Sequence, residues 1–324
     1  MRATTRQLPA LMAVAAIAAA SAACSSSSAS VSAAGAGATQ SGSATAGFPV
    51  TVSTAGGKTH LTTRPNAIVS LSPTATEMLY AIGAGSQVKA VDVNSNYPAR
   101  APITKLSGFQ PNAEAIAGYK PDLVIISNNV AGIAGKLTAL SIPVLTLPAA
   151  ASLSDVYREF TELGTATGHA TQAKSENTKL AAAVASIVAA EPKRAKPLTY
   201  FYELSANPYY SVTDSTFVGS VLSLLGMRSI ADAATGAAAA GGYPELSAEY
   251  ILKANPDYIL LADTGSADGG QDVTTVTARS AWSVVTAVKD KHIIVLNADI
   301  ASRWGPRIVD LLKSVAAGLK SGTQ

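Results

Sequence analysis

A stretch of sixteen residues occurs twice in the chain, and this repeat constrains the fold more than any other feature of the sequence. Residues 112–127 read NAEAIAGYKPDLVIIS, and residues 247–262, which lie 135 positions further on, read SAEYILKANPDYILLA. Five residues are identical in the two copies: Ala113, Glu114, Ile116, Pro121 and Asp122 recur as Ala248, Glu249, Ile251, Pro256 and Asp257. A repeat with this spacing predicts two related folding units.

Each copy has the pattern of a short helix followed by a buried strand. Asn112 and Ser247 open the copies, and both residue types favour the N-cap of a helix. About two turns later Pro121 and Pro256 end the helix, because the proline ring lacks an amide N–H and disfavours the helical conformation of the preceding residue. The apolar run that follows shows no polar alternation, as in a parallel strand that is buried on both faces. The repeat therefore predicts two α/β lobes.

The repeated glutamates, Glu114 and Glu249, fall in the first turn of the two predicted helices. In that position the helix dipole stabilises an exposed carboxylate by roughly 0.3–1 kcal/mol. This stabilisation alone would explain why each lobe has a glutamate at this position, and it requires no partner protein. The alternative is that the two carboxylates, one on each lobe, contact a partner that grips both lobes.

Residues 1–24 have the pattern of a secretory signal peptide. Two arginines precede an apolar run over residues 10–20, which is too short to cross a membrane, and small residues then lead to Cys24. Cys24 is the only cysteine of the chain, and it stands where a bacterial lipoprotein signal has its lipidated cysteine. Ser21 replaces the leucine that is usual in that motif, so an ordinary cleavage site is the alternative. We expect a lipoprotein signal peptide with Cys24 lipidated.

Residues 25–47 consist almost entirely of Ser, Ala, Gly and Thr and contain no charged residue. Such a segment cannot bury enough apolar surface to offset its ordering entropy, so we expect a flexible linker that tethers a folded body to a membrane surface. The net charge of only +3 argues against nucleic-acid binding. With a single cysteine the chain can form neither an internal disulfide nor a cysteine-rich metal site.

The remaining chain divides into three parts. Strand and helix patterns alternate over residues 48–151, which predicts an N-terminal α/β lobe with a mostly parallel sheet and a small hairpin at its start. Residues 152–195 show helical patterns only, and they include a helix from about residue 171 to 191 that is long enough to be a strut between lobes. Strands and helices alternate again over residues 196–324, the predicted C-terminal lobe.

No motif of a catalytic or metal site stands out. The chain contains neither a Gly-x-Ser-x-Gly nucleophile turn nor a Walker-type phosphate loop. His60, His169 and His292 are far apart and form no pair with metal-ligand spacing, so we expect them to be surface or structural residues. We therefore predict no catalytic residue, no metal site and no cofactor.

Several short motifs together resemble one protein family. They are Ser70-Leu71-Ser72-Pro73-Thr74-Ala75-Thr76-Glu77 with Leu79-Tyr80-Ala81-Ile82-Gly83, Tyr97-Pro98, Gly108-Phe109, Asn112-Ala113-Glu114, Lys120-Pro121-Asp122-Leu123-Val124 and Arg303-Trp304-Gly305-Pro306-Arg307. In combination these motifs are similar to those of the substrate-binding proteins of ABC importers for iron–siderophores, haem and vitamin B12. The resemblance extends over about residues 48–321 and is closest to the cobalamin-binding branch.

The resemblance implies the fold of a class III periplasmic binding protein, in which two Rossmann-like α/β lobes are joined by one long α-helix. It further implies a monomer without enzymatic activity that captures a corrinoid or a ferric chelate between its lobes. Such a protein is extracytoplasmic, here anchored to the cell membrane by its lipid, and delivers its ligand to the permease subunits. In that family a glutamate of each lobe meets arginines of the permease, and the motifs place this role on Glu114 and Glu249.

The resemblance also implies that aromatic residues from the loops after the strands line the ligand cleft. The matching positions are Tyr97, Phe109, Tyr210, Tyr243 and Trp304, with Arg303 beside the last of them. Aromatic rings bury a large area and suit a flat macrocycle. For Tyr210 a place in the core is the alternative, while Arg303 and Arg307 could either bind anionic groups of a ligand or brace their own loop.

The charge pattern gives a weak indication of the ligand class. The sequence shows no cluster of cleft arginines, which a strongly anionic catecholate chelate would call for. A near-neutral ligand such as a corrinoid or a ferric hydroxamate siderophore is therefore favoured, and haem stays open because a cleft tyrosine could be its axial ligand. Two other classes also stay open: a surface enzyme on the same two-lobe plan, and a sensor or adhesion lipoprotein that serves no permease.

Overall fold

The computed structural model describes residues 47–265 and 270–321. Cys24, the predicted signal peptide and the linker up to residue 46 lie outside the described residues. The described chain begins with an antiparallel hairpin of β1 (Val50–Thr54) and β2 (Gly57–Leu61), which confirms the hairpin predicted there.

Four parallel strands form the sheet of the first lobe, in the order β4–β3–β5–β6. The strands are β3 (Ile68–Ser70), β4 (Val88–Val91), β5 (Leu123–Ile126) and β6 (Val144–Thr146). The helices between them are α1 (Pro73–Ala81), α2 (Ala113–Ala117) and α3 (Ile133–Ala139), with 3-10 turns at Ala84–Gln87 and Val130–Gly132. Ser72 caps α1, because its hydroxyl accepts a hydrogen bond from the amide of Ala75.

The second lobe repeats this plan with a parallel sheet in the order β10–β7–β12–β13. The strands are β7 (Leu198–Glu203), β10 (Met227–Ser229), β12 (Tyr258–Leu261) and β13 (Ile293–Val295), and a small antiparallel sheet is formed by β8 (Ser205–Ala206), β9 (Tyr209–Tyr210) and β11 (Glu245–Leu246). The helices are α6 (Phe217–Ser223), α7 (Ala248–Ala254), α8 (Val273–Thr277), α9 (Thr286–Lys289), α10 (Ala298–Ala301) and α11 (Ile308–Ser321), with 3-10 turns at Ile230–Ala233 and Trp282–Val284.

Two antiparallel helices carry the chain from the first sheet to the second. They are α4 (Leu153–Thr167) and α5 (Ala170–Ala189). Ser152 and Asp155 form a capping box at the start of α4, and Gly168 ends it with a φ of 73°. Helix α4 packs against β1 and α1, whereas α5 packs against α4 and against α11 of the second lobe. The long helix expected between the lobes is thus α5, whose 20 residues span roughly 30 Å.

The two copies of the sequence repeat occupy equivalent places in the two sheets. Helices α2 and α7 begin 135 residues apart, and so do strands β5 and β12. Each of these strands is third in the order of its sheet. The repeat therefore corresponds to one structural unit per lobe, and the predicted fold of two Rossmann-like α/β lobes with a connecting helix is confirmed.

The repeated aspartate ties its strand to the neighbouring strand. Asp122 accepts hydrogen bonds from the amides of Asn66 (2.8 Å) and Ala67 (2.9 Å), just before β3. Asp257 accepts from the amide (2.7 Å) and the hydroxyl (2.8 Å) of Thr199 in β7. In both lobes the carboxylate satisfies backbone donors at the start of the adjacent parallel strand, which gives a structural reason for its repetition.

The segment between β12 and β13 was the least predictable part of the second lobe. It contains two short helices and Trp282, which is 1% exposed and packs edge-on against Phe201 of β7. Helices of four or five residues carry too few positions for a periodic apolar pattern, so the sequence showed neither α8 nor α9.

Candidate functional site

A cavity of about 630 Å³ lies where the two lobes face each other. In the first lobe it is lined by residues at or beyond the carboxyl ends of all four strands, among them Leu71, Asp92 and Ser127. The second lobe contributes Arg303 and Trp304 from the loop before α11. Ligands of parallel α/β sheets bind at this edge, because the loops that follow the strands converge there.

Three of the six predicted ligand residues line this cavity. They are Phe109 from the first lobe and Arg303 and Trp304 from the second. Phe109 is 72% exposed, so its ring is accessible from the cavity.

The other three predicted ligand residues lie outside the cavity lining. The ring of Tyr97 lies 4.2 Å from the guanidinium carbon of Arg307. Tyr210 belongs to β9 and is 40% exposed, so it is not a core residue. Tyr243 is also largely exposed and precedes β11. Contact of these three tyrosines with a ligand stays a prediction.

The position of Phe109 depends on a close approach of its loop to the end of β3. A Cβ atom on Gly108 would lie 2.6 Å from the carbonyl oxygen of Leu71, so no larger residue fits there without a shift. The buried carboxylate of Asp92 accepts hydrogen bonds from the amide of Gly108 and, at 2.5 Å, from the hydroxyl of Ser95. Burial nevertheless raises the pKa of Asp92. Asp92 thus joins the two loops that carry Tyr97 and Phe109.

The lobes are connected beside the cavity by a group of four charged side chains, which we call the interlobe latch: Glu77, Asp299, Arg303 and Arg307. Glu77 is a buried residue of α1, and its carboxylate accepts from Arg303 Nη1 (2.8 Å), Arg307 Nε (2.9 Å) and Arg307 Nη2 (2.5 Å). Arg303 Nη2 also donates to Asp299 (2.8 Å). Two negative and two positive charges balance, and hydrogen bonding to Glu77 raises the pKa of Arg307.

Both guanidinium groups donate to carboxylates of the protein, which fits the bracing interpretation of Arg303 and Arg307. Because Arg303 also lines the cavity, its contact with a ligand stays a prediction. Sequence reasoning had not singled out Glu77. The available signal was a carboxylate inside an otherwise uncharged helix segment, residues 74–79, all of which is buried. Such a group requires a cationic partner.

A second buried carboxyl group contacts the cavity wall. Trp304 donates its indole N–H to Glu159 Oε2 at 3.0 Å, and Glu159, on α4, is only 3% exposed. Burial raises the pKa of Glu159 to about 8, and the indole donor offsets this only in part. Trp304 is therefore held between the connecting helices and the cavity.

Glu114 and Glu249 are both exposed at the starts of α2 and α7. Their N-caps are the predicted ones, with Asn112 Oδ1 accepting from the amide of Ala115 (2.8 Å) and Ser247 Oγ from the amide of Tyr250 (3.1 Å). Hydrogen bonds from its own amide and from Ser247 lower the pKa of Glu249. Among the described residues, neither glutamate takes part in an ion pair.

The three histidines lie in separate structural settings. His60 is in β2 beside Thr51, His169 contacts the guanidinium of Arg64 at 3.1 Å, and His292 stacks on a tyrosine ring. Within residues 47–265 and 270–321, no three side chains of His, Cys, Asp or Glu are grouped as metal ligands. In the same part of the chain, no helix combines the length and the apolar character that a membrane span requires.

Comparison with known proteins gives one consistent result. Residues 68–300 match the family described as periplasmic binding protein. The ABC transporter substrate-binding lipoprotein YvrC of Bacillus subtilis is 29% identical over 289 residues, which cover 85% of this chain and 87% of YvrC. A cobalamin-binding protein of Halobacterium salinarum is 29% identical over 288 residues, which cover 85% of this chain and 75% of that protein.

A solved structure has the same fold. The crystal structure of a protein from Staphylococcus epidermidis that is described as a possible iron-binding, periplasmic solute-binding protein aligns with a TM-score of 0.65 at 27% identity, over 78% of this chain and 98% of that one.

Proposed function

The chain belongs to the periplasmic binding protein family, and on that premise we propose that it captures a corrinoid between its lobes and delivers it to an ABC permease. It is a substrate-binding protein of the ABC importer type, with relatives that are named for cobalamin or vitamin B12 binding. The observation that carries the proposal is the cavity between the lobes, with the exposed ring of Phe109 on one side and Trp304 on the other.

The charges of the lining support a near-neutral ligand. Among the described residues of the lining, the titratable side chains are Asp92, Asp299 and Arg303, and the one cation of this set is already held by Glu77 and Asp299. The other polar groups of the lining are amides and hydroxyls, such as those of Asn94, Asn96, Ser127 and Asn128. Such groups suit the amide-rich rim of a corrinoid, whereas a catecholate chelate or the propionates of haem would lack a cationic partner here.

A ferric hydroxamate or haem is the alternative ligand of the same cavity. None of the described residues that line it is His, Tyr, Met, Cys or Lys, so the lining offers no side chain that commonly ligates haem iron. A corrinoid that carries its own axial base needs no such ligand. A hydroxamate siderophore, which occupies all coordination positions of its iron, stays as the second candidate.

Titration of the purified protein with cyanocobalamin, ferrioxamine and haemin by calorimetry tests the ligand class. We expect cyanocobalamin to bind and Phe109→Ala to weaken it by roughly 10- to 100-fold, since burial of an aromatic ring contributes about 1.5–3 kcal/mol. Tyr119→Ala is the matched control, because Tyr119 is a 41% exposed aromatic residue outside the cavity lining. If the two variants bind cyanocobalamin with equal affinity, the ligand does not contact Phe109.

We further propose that Glu114 and Glu249 dock onto the permease, one from each lobe. In a β–α–β unit the helix runs antiparallel to the strands, so the first turns of α2 and α7 lie toward the sheet edges that border the cleft. A permease that contacts both carboxylates would therefore meet the side of the protein from which the ligand leaves.

The domain boundaries at 48–151, 152–195 and 196–324, a monomeric state and the absence of catalysis belong to the same proposal. They are supported by the two sheets, the helices between them and the binding proteins among the relatives. Loss of ligand uptake on deletion of the permease genes, with unchanged ligand binding by cells, would separate transport from a sensor or adhesion role.

Lipid anchoring through Cys24 is proposed from the sequence and from the lipoprotein relative. We expect Cys24→Ser to release the protein into the soluble extracytoplasmic fraction or to leave it unprocessed, because the thiol that accepts the lipid is missing. Fractionation and intact-mass measurement of both forms are the test. A variant that stays in the membrane fraction at the mature mass would show that another feature holds it there.

A further inference from the structure

We infer that Glu77 is a positioning residue that fixes the angle between the lobes and thereby the shape of the ligand cleft. Glu77 itself belongs to α1 of the first lobe, whereas all the cations that it contacts belong to the second. The consequence of this positioning role for ligand affinity rests on the proposed function, but the effect of Glu77 on the lobe angle does not.

The hydrogen bonds between Glu77 and the two arginines are directional. Both carboxylate oxygens of Glu77 are used: Oε1 accepts from Arg303 and Arg307, and Oε2 accepts from Arg307 Nε. The side chain of Glu77 has no solvent exposure, and those of Arg303 and Arg307 are 8% and 16% exposed. Planar guanidinium groups satisfy a carboxylate only over a narrow range of orientations, so these bonds define a relative position of the two lobes.

The lobes are joined by the apolar packing of the connecting helices and by the hydrogen bonds of Glu77. Apolar packing is not directional, whereas the hydrogen bonds of Glu77 are. The chain passes from the first sheet to the second once, through α4 and α5. A different lobe angle would separate the carboxylate of Glu77 from its cations, and breaking a buried ion pair costs far more than losing an exposed one. A buried ionic group of this kind favours one arrangement of the two lobes over similar arrangements, in the way that a buried polar residue fixes the register of a coiled coil.

Other contacts place the latch at the cavity. Asn96 donates to Asp299 at 2.8 Å, and Arg303 Nη2 donates to the carbonyl oxygen of Asn94 at 2.9 Å, so two further bonds join the first lobe to the same segment. Asn94, Asn96, Asp299 and Arg303 all line the cavity, and Trp304 follows directly. A change of the lobe angle at Glu77 would therefore displace the lining on one side relative to the other.

The test measures the distance between the lobes without ligand. Spin labels at Lys136→Cys in α3 and Lys289→Cys in α9, both exposed positions, report on separate lobes in a chain that also carries Cys24→Ser. We expect Glu77→Gln to broaden or shift the distance distribution measured by double electron–electron resonance. Arg307→Met, which leaves Arg303 on Glu77, should give a smaller change, and it decides the question if Glu77→Gln does not fold.

Glu203→Gln is the matched control. Glu203 has no solvent exposure and pairs with Arg279 at 2.6 Å, but both residues lie in the second lobe. The two glutamine variants should lose comparable stability, whereas only Glu77→Gln should change the interlobe distances. Glu77→Gln should also weaken cyanocobalamin binding by roughly tenfold or more, and Glu203→Gln by no more than about threefold.

The outcomes separate the two proposals. Unchanged distances in Glu77→Gln, or equal changes in Glu77→Gln and Glu203→Gln, overturn the inference whatever the ligand. If the parent protein does not bind cyanocobalamin but Glu77→Gln alone alters the distances, the positioning role stands and the corrinoid proposal falls.

Discussion

Reversal of both charges, Glu114→Arg with Glu249→Arg, should abolish ligand uptake by cells while the purified protein keeps its affinity for the ligand. Both carboxylates are exposed, outside the cavity lining, and without an ion-pair partner among the described residues. Their replacement therefore leaves the cleft unchanged, but it places cations against the arginines that the family resemblance assigns to the permease.

The two glutamates should act together. Each stands at the start of the repeated unit in its own lobe, so a permease that contacts both would be sensitive to the relative position of the lobes. Close charge pairs across an interface contribute about 1.5–7 kcal/mol in the best-measured case, so each alanine variant should reduce uptake by roughly tenfold or more. Folding should change little, because an exposed carboxylate in a first helical turn contributes only about 0.3–1 kcal/mol.

The measurement is uptake of labelled cobalamin by cells that express each variant at equal levels, together with calorimetry on the purified proteins. Asp290→Arg with Asp310→Arg is the control, because it makes the same change in net charge at two exposed positions. We expect that control to transport normally. Normal uptake by the Glu114 and Glu249 double variant would leave both residues as helix-dipole partners and nothing more.

The repeat predicted the fold because its determinants are local. A helix start, a proline and a buried apolar strand are all encoded within sixteen residues, and the pattern occurs at matching places in both lobes. The repeated Asp122 and Asp257 could be identified as important but not explained, because their partners Ala67 and Thr199 lie more than fifty residues away. Only the parallel pairing of β3 with β5 and of β7 with β12 brings them together.

The site was predictable only in part for the same reason. The family motifs identified Phe109, Arg303 and Trp304, which the fold brings to one cavity. They did not show that Arg303 is engaged by Glu77, a residue 226 positions earlier, or that Trp304 donates to Glu159. Contacts between distant segments depend on the docking of the lobes and on the connecting helices, and no local pattern of the sequence encodes that docking.

The buried carboxyl of Glu159 should make the protein less stable as the pH rises from about 4.5 to about 8. Its ordinary pKa is 4.5, and burial raises the pKa to about 8 in the folded protein. Between these values the folded chain holds a proton that the unfolded chain has lost, so unfolding becomes more favourable with each increase in pH. The stabilisation is complete below pH 4.5 and is lost as the pH passes through about 8.

The neighbours of Glu159 do not cancel this effect. Glu162 and Asp155 on the same helix raise its pKa further, whereas Arg158 and the indole N–H of Trp304 lower it by less than burial raises it. At 1.36 kcal/mol per pKa unit, this rise in the pKa of Glu159 lowers the free energy of unfolding by at most about 5 kcal/mol between pH 4.5 and pH 8. That is a large fraction of the stability of an ordinary domain.

Glu159→Gln isolates this contribution, because glutamine is neutral at every pH and keeps an oxygen that can accept from the Trp304 indole. At pH 5 the variant and the parent protein should unfold at similar urea concentrations, and at pH 9 the variant should be more stable by several kcal/mol, about 5 at most. Glu176→Gln on α5 is the control; it removes an exposed pair with Lys179 and should change stability by no more than about 1 kcal/mol. A difference between Glu159→Gln and the parent that stays constant from pH 5 to pH 9 would mean that Glu159 is already ionised in the folded protein, and that Trp304 rests on a charged carboxylate.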